Sequence, residues 1–102
     1  MHAVVQARLA EIQALCRELG VRRLDVFGSA VGESFDVDSS DIDVLVEFNT
    51  SPDFDYFGSY FALKEELERI FSRPVDVVSV TSVRNPYFLA EVMRSRESLY
   101  AA

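Results

Sequence analysis

The sequence of 102 residues has few residues that cross-link a chain or interrupt its helices and strands: it contains one cysteine, three prolines and four glycines. It also has no tryptophan. The single cysteine excludes an intrachain disulfide, and its place in a helical pattern indicates that Cys16 is a small buried apolar residue and not a nucleophile. Repeats, low-complexity tracts and linkers are also missing. We therefore expect one small domain over residues 1–102, stabilised by an apolar core.

Basic residues are scarce as well: 10 Lys and Arg stand against 17 Asp and Glu, for a formal net charge of −7. This balance argues against a broad basic face and against direct nucleic-acid binding. It is compatible with a bound metal ion or a basic protein partner. No membrane-length apolar run or signal-peptide pattern is visible, and we expect a cytoplasmic protein. The lone His2 has no partner pattern and receives no role.

Apolar residues make up 49% of the chain, and their spacing predicts alternating helices and strands. Gly20 is expected to end the first helix, whereas Asn85 and Pro86 are typical of a helix start. The expected elements are helices over 3–19, 56–71 and 86–95, one helical turn over 30–33, strands over 23–27, 41–48 and 74–80, and a short terminal strand at 99–100. The order α-β-α-β-α-β-α predicts a mixed α/β fold with helices packed against one small sheet.

The acids Asp41, Asp43 and Asp76 lie within the second and third of these predicted strands. Side chains two apart on a strand share a face, so Asp41 and Asp43 project together about 7 Å apart, while Ile42 and Val44 face the core. Asp76 lies in the apolar run Pro-Val-Asp-Val-Val. Carboxylates gathered on a sheet repel one another and lose solvation, a cost that Mg²⁺ or Mn²⁺ would offset. The alternative is that Asp41 and Asp43 are ordinary solvent-facing residues of an edge strand.

A Gly28-Ser29 pair follows the first predicted strand and precedes the predicted helical turn. Glycine allows the backbone to approach a ligand closely, and backbone N–H groups at a helix start favour phosphate. Gly-Ser is also a common turn pair, so by itself the signal is weak. Its combination with the Asp-x-Asp motif, which starts at Asp41 after eleven intervening residues, makes the signal specific.

A calcium-binding loop is a further alternative for the acidic segment. Asp36, Asp38, Ser40 and Glu47 occupy positions 1, 3, 5 and 12 of an EF-hand register. The glycine that this register requires at its sixth position is replaced by Asp41, and the segment that follows alternates like a strand. We therefore interpret Asp36 and Asp38 as surface acids of a loop.

Taken together, these motifs resemble a known family. Phe-Gly-Ser-Ala-Val-Gly-Glu at 27–33 and Ser-Asp-Ile-Asp-Val-Leu-Val-Glu-Phe at 40–48 look like the minimal nucleotidyltransferase (MNT) family of the polymerase-beta-like superfamily. Arg-Pro-Val-Asp-Val-Val at 73–78 resembles the strand of that family that carries its third carboxylate. The resemblance covers nearly the whole chain and implies the minimal nucleotidyltransferase fold.

The resemblance also implies an activity, the transfer of a nucleotide from an NTP with release of pyrophosphate. Gly28 and Ser29 would hold the triphosphate, and Asp41 and Asp43 would hold one or two Mg²⁺ ions. Asp76 would complete the metal site and orient or deprotonate the attacking hydroxyl. Many members carry an arginine in the loop after Gly-Ser, but this loop reads Ala-Val-Gly-Glu, and its spacing to Asp-x-Asp is one residue longer than usual.

Chains of this size are similar to the antitoxin of HEPN–MNT toxin–antitoxin pairs. That likeness implies transfer of AMP from ATP to a tyrosine of a HEPN ribonuclease, which would be the protein partner. Because of the missing arginine, a second hypothesis is a non-catalytic antitoxin that neutralises its partner by contact. A third is an unrelated acidic metal-binding or scaffold domain.

Overall fold

The structure is a computed structural model that describes residues 3–28, 41–49, 51, 53–80 and 84–102. Its elements are α1 (Ala3–Gln6), α2 (Leu9–Leu19), β1 (Val21–Phe27), β2 (Ile42–Phe48), α3 (Tyr56–Phe71), β3 (Val75–Ser79), α4 (Pro86–Ser95) and β4 (Glu97–Ala101). The predicted turn over 30–33 lies outside the described residues. The predicted class, a small mixed sheet flanked by helices, is confirmed.

The four strands form one sheet in the order β3-β2-β1-β4. β1 is antiparallel to both β2 and β4, while β2 and β3 are parallel. The terminal strand is longer than the two residues predicted, because pairing with β1 extends it over Glu97–Ala101. The parallel β2–β3 pair, joined through α3, brings the start of β3 beside the start of β2.

The two faces of the sheet are covered differently. Against one face of the sheet, α2 and α3 pack to form the larger core. The strand side chains that point to this face include Leu24, Val26, Ile42, Val44, Val46, Val75 and Val77. The other face carries the smaller cluster of Phe27, Leu45 and Val92, through which α4 lies across the sheet. The predicted direction of Ile42 and Val44 towards the core is confirmed. Asp43 lies two residues before Leu45 on β2 and therefore faces the α4 side.

Local capping explains why two predicted helices have the bounds expected of them. The Asp55 side chain accepts a hydrogen bond from the Gly58 N–H at the start of α3. The Asn85 side chain accepts from the N–H groups of Tyr87 and Phe88 at the start of α4. These side chains satisfy N–H groups that have no partner within the helix.

The single helix predicted over 3–19 is wrong in one respect, since the chain breaks it into α1 and α2. Arg8 leaves the helical region (φ −108°, ψ 8°), and its guanidinium pairs with Glu11 in the first turn of α2. Neither glycine nor proline marks this break, so the sequence gives no local signal for it. Gly20 ends α2 in the left-handed conformation, as predicted.

Helix side chains cover the outer backbone of edge strand β3. The Lys64 ammonium donates to the Val75 carbonyl, and the Tyr60 hydroxyl donates to the Val77 carbonyl. Glu68 accepts from the Val75 N–H. These contacts occupy backbone groups that could otherwise pair with a strand of another chain.

None of the helices in the described parts of the chain is long and apolar enough to cross a membrane.

Candidate active site

Asp43 and Asp76 lie side by side on neighbouring strands. Asp43 is the second residue of β2 and Asp76 the second of β3, and the parallel register makes them direct partners. Side chains of register partners point to the same face of a sheet. The predicted convergence of these two acids is therefore what the strand register produces.

Burial and the neighbouring acids change the pKa of the Asp43 carboxyl. Partial burial, the charge of Asp76, a hydrogen bond with the Asp76 side chain and the charge of Asp41 together raise the pKa of Asp43 to about 6. Desolvation is the largest cause, and like charges add to it because each disfavours ionisation of its neighbour. The Asp43 site therefore favours a proton or another positive charge.

Gly28, which directly follows β1, lies against the same carboxylate of Asp43. It directly follows Phe27, which pairs with Asp43 across the β1–β2 ladder. A β-carbon at position 28 would lie 2.7 Å from Asp43 Oδ2, and the backbone there has φ +72°. Only glycine fits both the space and the conformation. The backbone of β1 thus ends in direct contact with the acidic pair.

Of the remaining two predicted site residues, Asp41 lies within the described part of the chain. Asp41 immediately precedes β2, is exposed, and acts on Asp43 through its charge. Ser29 lies outside the described residues, as do Asp36 and Asp38 of the calcium-loop alternative. Glu47 belongs to β2 and pairs with Arg22, whereas an EF-hand would begin a helix near that position.

The carboxylates are suitable ligands for magnesium, but those in the described part of the chain do not form a complete set of metal ligands. Carboxylate oxygens are the ligands that Mg²⁺ prefers, and bound Mg²⁺ commonly retains waters and phosphate oxygens. Across the described ranges, no group of three or more His, Cys, Asp or Glu side chains is arranged to hold a metal ion. Asp43 and Asp76 are adjacent, but Asp41 is not placed with them as a third ligand.

An aromatic contact borders the site on the α4 side. Phe88, in the first turn of α4, packs edge-on against Phe27 with ring centroids 5.9 Å apart. Phe27 is buried, while Phe88 remains 41% exposed. Since Phe27 precedes Gly28, this pair brings the start of α4 close to the acidic centre.

A buried acid that sequence reasoning missed holds the other end of α4. Asp25 is only 1% exposed and pairs with Arg23 at 3.0 Å and with Arg96, the C-terminal cap of α4, at 3.1 Å. Its signal in the sequence was a charge between Leu24 and Val26 in an apolar strand. Asp25 anchors α4 to β1 and lies on the same sheet face as Phe27 and Asp43.

Comparison with known families identifies the class of protein to which this fold and site belong. The family model described as "Nucleotidyltransferase domain" matches residues 11–99. This match covers most of the chain, so the protein belongs to the nucleotidyltransferase domain family, as the resemblance implied.

One curated relative matches about two thirds of this chain. "Putative protein adenylyltransferase MJ1379" of Methanocaldococcus jannaschii is 40% identical over 68 residues, which are 66% of this chain and 65% of the relative. The chain therefore matches slightly less than two thirds of the length of that relative.

Solved structures agree on the fold. A structure described as a "putative minimal nucleotidyltransferase" superposes with a TM-score of 0.76 at 28% identity, over 95% of both chains. A chain from the complex of a tri-AMPylated HEPN toxin with an MNT antitoxin of Shewanella oneidensis gives a TM-score of 0.67 at 20% identity. That match covers 96% of this chain and 73% of the other, and at this identity it shows the fold alone.

Proposed function

We propose that this chain is a magnesium-dependent antitoxin that transfers AMP from ATP to a tyrosine hydroxyl of a HEPN ribonuclease toxin. The observation that carries the proposal is the pairing of Asp43 with Asp76 directly beside the backbone of Gly28. The family membership supports nucleotidyl transfer. The name of the curated relative and the AMPylated toxin complex support a protein acceptor.

In this proposal, the adjacent pair Asp43 and Asp76 would hold Mg²⁺, Asp41 would add negative charge beside that pair, and Gly28 with Ser29 would receive the triphosphate. The bound metal would supply positive charge that offsets the carboxylates and stabilises charge developing on the phosphates. The missing side chain at Gly28 gives the Asp43 carboxylate the space that a β-carbon would take, so the carboxylate can lie directly against the backbone that follows β1. Glycine in this role is a steric requirement.

The reaction is an in-line displacement at the α-phosphorus of ATP. The tyrosine oxygen forms a bond to the α-phosphorus while the bond to the bridging oxygen of pyrophosphate breaks. The proton of the hydroxyl passes to a carboxylate, and Asp76 is the candidate because it is the most exposed of the adjacent pair, on the outermost strand. The products are a tyrosine-AMP phosphodiester and pyrophosphate.

The test uses the purified chain with a purified HEPN-type ribonuclease encoded by an adjacent gene, α-labelled ATP and Mg²⁺. Label on the ribonuclease should appear with the native chain and vanish with EDTA. Asp43→Asn and Asp76→Asn should each lower the rate by about a hundredfold or more, as losses of charge-stabilising groups do. Glu18→Gln, at an exposed acid of α2 outside the site, is the control and should retain the rate.

Neutralisation by contact alone remains a second candidate function. It is favoured by the loop sequence Ala-Val-Gly-Glu, which lacks the arginine common in the family. The double variant Asp41→Asn/Asp43→Asn separates the two. If cells that express the ribonuclease are still protected by this variant, contact suffices; if protection is lost while the complex still forms, transfer is required.

The proposed reaction consumes ATP, whose cellular pool is cytoplasmic. The proposal therefore includes action in the cytoplasm on a protein made there.

A further inference from the structure

Two phenylalanines project from α3 into solvent one helical turn apart. Phe57 is 75% exposed and Phe61 is 54% exposed. Residues four apart lie on one face of a helix, so the two rings form a continuous apolar ridge. Neither ring contributes to the main core, although Tyr56 and Tyr60, which directly precede the two phenylalanines in the chain, do pack against it.

A groove runs beside this ridge along edge strand β3. It has a volume of about 240 Å³ and is lined by both phenylalanines together with Tyr56, Tyr60, Val77 and Ser79. Tyr60 fixes one wall through its hydroxyl bond to the Val77 carbonyl. The ridge and this groove are called the α3 surface below. A preformed concave site bordered by exposed aromatics is typical of an anchor position in a protein interface.

The charges around the α3 surface are acidic. Asp53 and Asp55 precede the ridge, Glu65 follows it one turn after Phe61, and all three are exposed. Lys64 lies on the same side of α3, but its ammonium is engaged by the Val75 carbonyl and by Glu68. The rim therefore complements a partner whose apolar side chain is surrounded by Lys or Arg.

The α3 surface adjoins the candidate site through β3. Val77, which lines the groove, directly follows Asp76, and strand β3 forms the edge of the sheet. The two residues point to opposite faces of that edge strand. A protein seated on the α3 surface can therefore reach around a single strand to Asp76, whereas Gly28 lies two strands further into the sheet.

We propose that the α3 surface is where the acceptor protein docks, presenting its hydroxyl to the site from the β3 edge while the nucleotide occupies the Gly28 side. The identity of the partner rests on the proposed function. A ribonuclease suits the acidic rim because an RNA-binding protein carries a basic surface. The double variant Phe57→Ser/Phe61→Ser is the direct probe, since both side chains are exposed and their loss leaves the core intact.

The experiment uses calorimetry to measure the affinity of the purified chain for the same purified HEPN-type ribonuclease that the labelling test uses. Phe57→Ser/Phe61→Ser should weaken binding by about tenfold or more, in the range of exposed aromatic anchors. Asp53→Lys/Glu65→Lys should also weaken binding, and the loss of affinity should be greater at low salt than at high salt. Tyr87→Ser, at an 83% exposed aromatic on α4, is the matched control and should bind as the native chain does.

A second measurement separates this inference from the proposed function. The rise in melting temperature with Mg²⁺ and ATP reports the nucleotide site independently of any partner. It should be the same for the native chain and for Phe57→Ser/Phe61→Ser. Loss of partner binding in this variant supports the docking surface even if Mg²⁺ and ATP give no shift, an outcome that counts only against the proposed chemistry.

Four results would overturn the inference. They are native affinity of Phe57→Ser/Phe61→Ser for the ribonuclease, an equal loss in Tyr87→Ser, absence of binding by the native chain, and a native homodimer in sedimentation that the phenylalanine variant converts to monomer. The last would make the α3 surface a contact between two copies of this chain.

Discussion

Asp43 and Asp76 occupy directly opposed positions on two parallel strands, so that each carboxyl is the nearest side-chain neighbour of the other across the β2–β3 ladder. Such a pair is costly for a sheet, because two partly dehydrated like charges repel. The cost is understandable if the pair serves a cation, and it makes the site itself a source of measurable pH and steric effects.

Gly28→Ala should damage both the site and the fold. The new β-carbon would lie 2.7 Å from Asp43 Oδ2, and alanine disfavours φ +72°. We expect a loss of about 1–2 kcal/mol in the free energy of unfolding and a larger than tenfold drop in nucleotidyl transfer. Urea denaturation and the labelling assay measure the two effects.

Gly20→Ala is the control for Gly28→Ala, because Gly20 has the same φ of +72° but its nearest contact would be Phe54 at 3.8 Å. It should lose similar stability and retain activity. Equal loss of activity in both variants would show that backbone strain, not contact with Asp43, explains the effect.

Without divalent cations, the contribution of Asp43 to the stability of the protein should fall as pH rises from about 4 to about 6. The pKa of Asp43 is raised from 3.8 to about 6, so this carboxyl binds more protons in the folded chain than in the unfolded chain within this window. Asp43→Asn should abolish this pH-dependent loss of stability. In EDTA it should raise the free energy of unfolding at pH 7.5 by about 1 kcal/mol, a value reduced for solvent screening, and change little at pH 4.

Denaturant titrations at the two pH values test this expectation, with Asp53→Asn as a surface control. A variant Asp43→Asn that is no more stable than the native chain at pH 7.5 would mean that the acidic pair carries no repulsive cost.

Asp25→Asn should be strongly destabilising. It removes the negative charge that compensates Arg23 and Arg96 in a position that is 1% exposed, and it loosens the anchor of α4. Breaking a buried pair on one side costs about 3–5 kcal/mol, and we expect about 2–4 kcal/mol here because both arginines are partly exposed. Equilibrium unfolding in urea provides the measurement.

Glu91→Gln breaks the exposed pair between Glu91 and Arg94 on α4 and serves as the comparison for Asp25→Asn. It should change stability little, since solvent screens such pairs. Similar effects of the two substitutions would remove the special role assigned to Asp25.

Cys16 should resist alkylation in the folded protein. Burial raises the pKa of its thiol to about 12, with partial opposition from the charge of Arg17, so almost no thiolate exists at pH 8. Iodoacetamide should react about a hundredfold or more slowly with the native chain than with the chain in denaturing urea. Mass spectrometry over time gives both rates, and rapid modification of the native chain would contradict the buried position.

Much of this fold could be predicted because its signals are local. The helices α3 and α4 have the predicted bounds, since Asp55 and Asn85 cap them through contacts within three residues. The strand alternation at 41–48 likewise assigned Asp43 to the face opposite Ile42 before any packing was known. The break at Arg8 had no such signal.

The amino-acid order is enough to assign the acidic and apolar positions and the strand face on which each lies, because a side-chain period of two is a property of the backbone. Folding of the whole chain sets β3 parallel to β2 in the register that places Asp76 beside Asp43, and it buries Asp25 between two arginines. Those relationships depend on pairing between segments about thirty residues apart or more. Local propensity cannot specify such pairing, because the free energy that selects it comes from packing the whole sheet against its helices.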